Sequence, residues 1–251
     1  MLPDFIIIGA ARCGTTSLYN YMISHPNIIS ASQKELHFFD LNFNKGLSWY
    51  ESKFFKDNNK EKNFSIGESS PYYIYHPYAP YRISKIIPDV KLIAMLRNPI
   101  DRAYSNHQYA VKMKVENLSF EEAITKEHER LEGELEKMQN DENYFSFNHQ
   151  NFSYLTRGIY VDQLKTWYNL FSKQQILVIR SEDFYDDSNV ITNQIFEFLG
   201  IPKYKVHTSK VYNKGDYPSM SNTTRSRLKE FFKPHNEHLS KLLNKNFNWD
   251  N

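Results

Sequence analysis

Four short apolar runs punctuate the chain: FIIIG at 5–9, FSIGE at 64–68, VKLIAML at 90–96 and QILVIRSED at 175–183. Their apolar residues are near-continuous rather than alternating, as in strands of a parallel sheet buried on both faces. Between them, apolar positions recur at helical spacing over 15–24, 78–87, 99–114, 119–139, 157–171, 188–199 and 222–244. Buried strands separated by long helical segments predict an α/β fold, a three-layer sandwich with a central parallel sheet. Gly200 and Pro202 close the sixth helix, and Ser119 with Glu122 forms a capping box for the fourth. In that fourth helix Phe120, Ile124, Leu131, Leu135 and Met138 form one packed stripe beside a charged face. Residues 139–156, polar and aromatic without a clear period, predict a surface loop.

A chain of 251 residues with 40% hydrophobic content can bury one sizeable core, so a single domain over 1–251 is expected. Thirty-one Lys and Arg against 29 Asp and Glu leave a formal charge of +2. That balance excludes bulk adhesion to nucleic acid or to an anionic membrane, and basic residues matter only where they cluster. The one cysteine, Cys13, rules out an internal disulfide framework and any multi-cysteine zinc site. The first strand starts close to Met1, leaving no room for a signal peptide, and no run approaches the length of a membrane span. These features predict a soluble, cytoplasmic protein; they carry no signal for oligomeric state.

The strongest chemical signal is IIIGAARCGTTSL at 6–18, a buried strand running into a glycine-bounded loop and a helix. Gly9 and Gly14 stand where the glycines of a phosphate-binding loop belong, but Thr15 replaces its lysine. Backbone N–H groups and the dipole of a helix N-terminus still favour an anion there. Without the lysine, and without an aspartate ending an apolar strand to hold magnesium, an ATPase or GTPase is disfavoured. Arg12 places a permanent, fork-shaped cation inside the loop. A glycine-containing turn with no ligand would be the simplest account of this loop taken alone.

Other segments supply matching chemistry: KELHFFD at 34–40, GESSPYY at 67–73, KLIAMLRNPIDRAYSNH at 91–107, RGIYVDQLKTWY at 157–168, ILVIRSEDF at 176–184 and NKGDYPSMS at 213–221. In this order they resemble the sulfotransferases that use 3′-phosphoadenylyl sulfate (PAPS), closest to the heparan sulfate N- and 3-O-sulfotransferase type and its bacterial relatives. The resemblance covers nearly the whole chain. It implies a P-loop NTPase-like fold, PAPS as donor, adenosine 3′,5′-bisphosphate (PAP) as product, and no metal. By that resemblance Ala11, Arg12, Cys13, Gly14, Thr15, Thr16 and Ser17 grip the 5′-phosphosulfate. Arg97 and Ser105 match the 3′-phosphate site; Pro99 at the first helical position would bring them towards one face. Asn213, Lys214, Gly215, Asp216 and Tyr217 resemble the late loop that closes over the nucleotide.

Sulfuryl transfer is an in-line displacement that positioning and charge neutralisation can drive. The acceptor must lose a proton, and Glu35 matches the family's general base. Lys34 beside it would set its orientation or charge state, or touch the donor; His37, Asp40 and His107 match further positions near the reacting groups. The apolar LHFF after Glu35 indicates that this segment is packed into the protein. Two departures stand out: GESSP has Ser69 where glycan enzymes often have lysine, and the loop cation is Arg12 where many animal members have lysine. The cysteine pair of animal members is also absent. The resemblance implies sulfuryl transfer to a hydroxyl or amine of a small-molecule or glycan acceptor, with a glycan or glycolipid expected. A P-loop nucleotide kinase and a non-catalytic nucleotide-binding protein of the same fold are the competing readings.

Overall fold

The computed structural model describes residues 1–54, 64–207 and 217–249. In chain order these form β1 (Phe5–Gly9), α1 (Thr15–Met22), β2 (Ile28–Ser30), α2 (Leu47–Glu51), β3 (Ser65–Ser69), α3 (Ala79–Ile86), β4 (Lys91–Leu96) and α4 (Pro99–Lys112). The helices α5 (Phe120–Thr125), α6 (Glu127–Leu131), α7 (Glu134–Asn140), α8 (Phe147–Asn151) and α9 (Tyr160–Leu170) follow. The chain continues through β5 (Ile176–Arg180), α10 (Ser181–Asp186), α11 (Ser188–Leu199) and α12 (Asn222–Leu243). Packing divides it into two compact units, Met1–Leu96 with Trp167–Lys214, and Arg97–Thr166 with Gly215–Asn251.

The first unit holds the sheet, five parallel strands in the order β2-β3-β1-β4-β5. Every residue of β1 and β3 is buried; the apolar run of β1 suits a central strand, whereas β3 (SIGES) carries Ser65, Glu68 and Ser69 into the interior. Helix α1 packs on β1 and β3, and α11 on β5 and α1. Because the chain leaves β1 towards β2 and later crosses to β4 on its other side, the topology switches direction beside β1. In open α/β sheets the crevice at the carboxyl ends of the strands at such a point is where ligands bind. The segment that leaves β1 there is the glycine-bounded loop of residues 10–14.

The second unit is helical. Ile100 and Ala103 of α4, Phe120, Ala123 and Ile124 of α5, Tyr154, and Leu228 and Phe232 of α12 form its core. Asn98 caps α4 by accepting from the Ile100 amide at 3.0 Å, with Pro99 at the first helical position. The Ser119–Glu122 capping box is formed.

Three expectations need correction. The helix expected over 119–139 is three short helices; Gly133, at a left-handed φ of 71°, separates the last two. Phe120, Ile124 and Met138 are buried while Leu135 is exposed, so the single stripe does not exist. The expected loop at 139–156 contains α8 and the buried His149, Ser153 and Tyr154. QILVIRSED is strand only to Arg180; Ser181 starts α10, whose first-turn Glu182 and Asp183 suit a helix N-terminus. The three-residue β2 and five-residue α2 are too short to show a period. Among the described residues no helix is long and apolar enough to cross a membrane.

Candidate active site

The phosphate loop is built by the sheet. The Ala10 amide donates to Met95 O of β4 at 2.8 Å, and Ser181 Oγ, at the start of α10, donates to Cys13 O at 2.7 Å. Cys13 and Thr15 are buried; Ala11, Arg12, Gly14 and Thr16 are half-buried; Ser17 is wholly enclosed. Arg12 and Gly14 both have left-handed backbone, at φ 69° and 95°. That conformation costs a non-glycine residue about 1–2 kcal/mol, so the Arg12 backbone is held by its surroundings rather than by its own preference. A Cβ on Gly14 would also sit 2.6 Å from the Tyr185 hydroxyl. No side chain caps α1 at Gly14, which leaves its first turn arranged as an anion cradle.

Glu35 stands at the neighbouring strand. Its amide donates to Ser69 O, the last residue of β3, at 3.0 Å, which pins KELHFFD to the sheet edge from which the phosphate loop also emerges. Leu36, Phe38 and Phe39 are buried beneath it, as the apolar pattern implied. Phe38 stacks on Tyr50 with ring centroids 4.4 Å apart, and Arg82 donates to Phe39 O at 3.0 Å and Asp40 O at 3.3 Å. The packing leaves Glu35 and His37 at left-handed φ values of 61° and 50°.

The side chains form a charged relay. Lys34 Nζ donates to Glu35 Oε1. His37 lies with Nε2 3.5 Å from Glu35 Oε2 and Nδ1 2.8 Å from the enclosed Asp40 Oδ2. Burial alone would lower the His37 pKa, but hydrogen bonds to Asp40 and Glu35 outweigh it and raise it to about 10. Burial would raise Glu35; the His37 hydrogen bond and the Lys34 charge instead hold it at about 2. At neutral pH Glu35 is therefore a carboxylate and His37 an imidazolium.

Beneath it lies a network that the sequence reading did not single out. The Glu68 carboxylate accepts from Tyr50 at 2.6 Å, Ser70 at 2.8 Å and Tyr73 at 3.2 Å. GESSPYY marks the segment by sequence without showing that Glu68 collects these hydroxyls. Tyr72 and Tyr73 are buried, and Tyr73 is a hydrogen-bonding partner. Ser69 Oγ, where the glycan enzymes often carry lysine, is buried without a hydrogen-bond partner among the described residues.

In the helical unit, Arg97 follows β4 directly, and its carbonyl accepts from the Tyr160 hydroxyl at 2.9 Å. Among the described residues no carboxylate pairs with Arg97. Ser105 is buried on α4. His107 is buried too: Nε2 meets Leu118 O at 2.9 Å, Nδ1 meets Gln108 Nε2 at 3.3 Å, and the ring packs edge-on against Phe120 and Tyr154. Both its nitrogens are engaged by the protein itself. Tyr217 packs edge-on against Tyr104, with centroids 5.5 Å apart. Asn213, Lys214, Gly215 and Asp216 lie outside the described residues.

A central parallel sheet with a glycine-bounded strand-to-helix loop at its switch point, and Glu35 hydrogen-bonded to the end of the adjoining strand, defines a P-loop-like α/β protein. The model of the sulfotransferase domain family matches residues 2–246, and the chain belongs to that family. It is 27% identical to the membrane-associated sulfotransferase kil1 of Dictyostelium discoideum, covering 100% of this chain and 67% of that protein. It is 29% identical to mouse bifunctional heparan sulfate N-deacetylase/N-sulfotransferase 4, covering 97% of this chain but 30% of that protein. Among solved structures, a sulfotransferase from Alicyclobacillus acidocaldarius superposes over 100% of both chains with a TM-score of 0.81 at 29% identity.

Proposed function

We propose that this protein transfers a sulfuryl group from PAPS to a hydroxyl or amine of a glycan or glycolipid, with Glu35 as general base and the chain working as one catalytic domain. The observation that carries this reading is the pinning of Glu35 to the end of β3, one strand from the phosphate loop on β1. Ala11 to Ser17 take the 5′-phosphosulfate through backbone amides and hydroxyls, with Arg12 as the counter-charge. Arg97 and Ser105 take the 3′-phosphate, and residues 213–217 close over the nucleotide. The acceptor attacks sulfur, its proton passes to Glu35, and the S–O bond to the phosphate breaks with the electron pair leaving on PAP. No metal enters these steps.

A carboxylate held at about 2 is a weak base. When the donor's negative charge draws Lys34 away from Glu35, the carboxylate loses a stabilising partner and its proton affinity rises towards the ordinary range. Asp40 and His37 then keep it oriented.

The reading is tested by calorimetric titration with PAP, 5′-AMP and Mg-ATP on the wild type and Arg97→Ala. PAP should bind most tightly, and both removal of the 3′-phosphate and Arg97→Ala should weaken binding ~10-fold or more, as loss of a charged hydrogen bond does. Preference for Mg-ATP, or indifference to the 3′-phosphate, would overturn it.

A further inference from the structure

We propose that Glu68 is the positioning residue of the transfer centre: its carboxylate orients the hydroxyls of Ser70 and Tyr73, whose oxygens hold the backbone of the turn carrying Glu35 and His37. The inference rests on the reading of Glu35 as the base. A hydroxyl has one proton to give and lone pairs to receive. Ser70 gives its proton to Glu68 Oε2 at 2.8 Å, and its oxygen accepts from the His37 amide at 3.1 Å. Tyr73 gives its proton to Glu68 Oε1 at 3.2 Å, and its oxygen accepts from the Phe38 amide at 2.8 Å and the Phe39 amide at 3.3 Å. Three successive amides thus hang on two oxygens, and one carboxylate fixes the direction of both.

The turn needs such support. Glu35 and His37 both sit in the left-handed region that side chains disfavour, and a backbone of that kind persists only where its surroundings over-determine it. The identity of Glu68 points the same way. It is wholly buried, makes no ion pair with any described residue, and burial pushes its carboxyl up to about 7 despite three hydroxyl donors. A buried carboxyl without a counter-charge carries a desolvation cost that only its hydrogen bonds offset. An acceptor on both oxygens is what orienting hydroxyls on opposite sides demands. Gln at this site offers an acceptor on one side and a donor on the other, so one relay hydroxyl must turn.

The test compares Glu68→Gln, Ser70→Ala, Tyr73→Phe and Glu35→Gln. Amide hydrogen exchange at residues 37–39, PAP affinity and kcat for PAP release from PAPS are measured, with an amine-bearing glucosaminyl oligosaccharide as probe acceptor. Glu68→Gln should speed exchange at His37, Phe38 and Phe39 together, whereas Ser70→Ala should speed it at His37 and Tyr73→Phe at Phe38 and Phe39. Glu68→Gln should lower kcat ~10–100-fold, the range expected of a misplaced reacting group, with PAP affinity unchanged. The losses should be non-additive when either hydroxyl is removed in the Glu68→Gln background. If Glu68→Gln fails to fold, the two hydroxyl variants, which keep the carboxylate, carry the test. Unchanged exchange at all three amides overturns the inference, as does full kcat in Glu68→Gln when Glu35→Gln is inactive. Turnover that survives Glu35→Gln overturns the base instead, and exchange alone then decides the role of Glu68.

Discussion

Glu35 and His37 shift in opposite directions because each gains opposite charges: His37 from Asp40 and then Glu35, Glu35 from His37 and then Lys34. Glu35, held at about 2 below its ordinary 4.5, adds stability that is present above 4.5 and lost as pH falls through about 2. His37, held at about 10 above its ordinary 6.5, adds stability that is complete below 6.5 and lost as pH rises through about 10. The relay is therefore at full strength between pH 4.5 and 6.5 and still largely formed at neutral pH. Ring-nitrogen NMR should show His37 titrating near 10, and Asp40→Asn should bring that midpoint down; a midpoint near 6.5 would mean that the pairs do not form in solution. Gly14 makes a second prediction at this scale. Gly14→Ala puts a Cβ into left-handed backbone against the Tyr185 hydroxyl, and should cost about 1 kcal/mol or more in thermal denaturation and weaken PAP binding. Lys34, Glu35 and His37 were legible because KELHFFD is contiguous. Glu68 was not, because its role appears only when residues 37–39 fold back over β3.

Elements were legible in proportion to their length. The 12-residue α11 has the predicted bounds, with Asp187 accepting from two amides at its start and Gly200 at φ 80° at its end. The region after α4 was misread because apolar residues of three successive short helices mimic the period of one long helix, while the buried polar groups that join these helices leave no period. Glu116 is the clearest of these. Burial would raise its carboxyl, but Arg130 at 2.5 Å, the Leu118 amide and the Tyr154 hydroxyl at 3.0 Å bring it to about 2. Arg130→Met would strip the counter-charge from an enclosed carboxylate while keeping most of the side-chain volume. It should destabilise the protein by about 3–5 kcal/mol in urea unfolding, and Glu116→Gln in the same background should recover much of the loss. If Arg130→Met is neutral, the pair is not what holds these helices.

At the scale of the whole molecule, one family model runs through both compact units, so a ligand of the native state should stabilise the full chain. PAP at 100 times its Kd should add about 2.7 kcal/mol and raise Tm, while 5′-AMP at equal concentration should raise it less. Equal shifts would deny recognition of the 3′-phosphate. The parallel α/β class followed from the sequence alone, because a strand buried on both faces must be apolar throughout and a parallel neighbour needs a helical crossover. The glycine-bounded loop between β1 and α1 followed as well, since Gly9, Gly14 and Arg12 lie within a few residues of one another. Tertiary structure alone decided the strand order, which places the end of β3 beside that of β1 and so brings residue 35 to the loop's side of the sheet. It also decided the hydroxyl scaffold of Glu68, Ser70 and Tyr73 under His37, Phe38 and Phe39. These pairings join residues some 30 positions apart in the chain, and hydrogen bonds across such separations leave no period or spacing in the sequence.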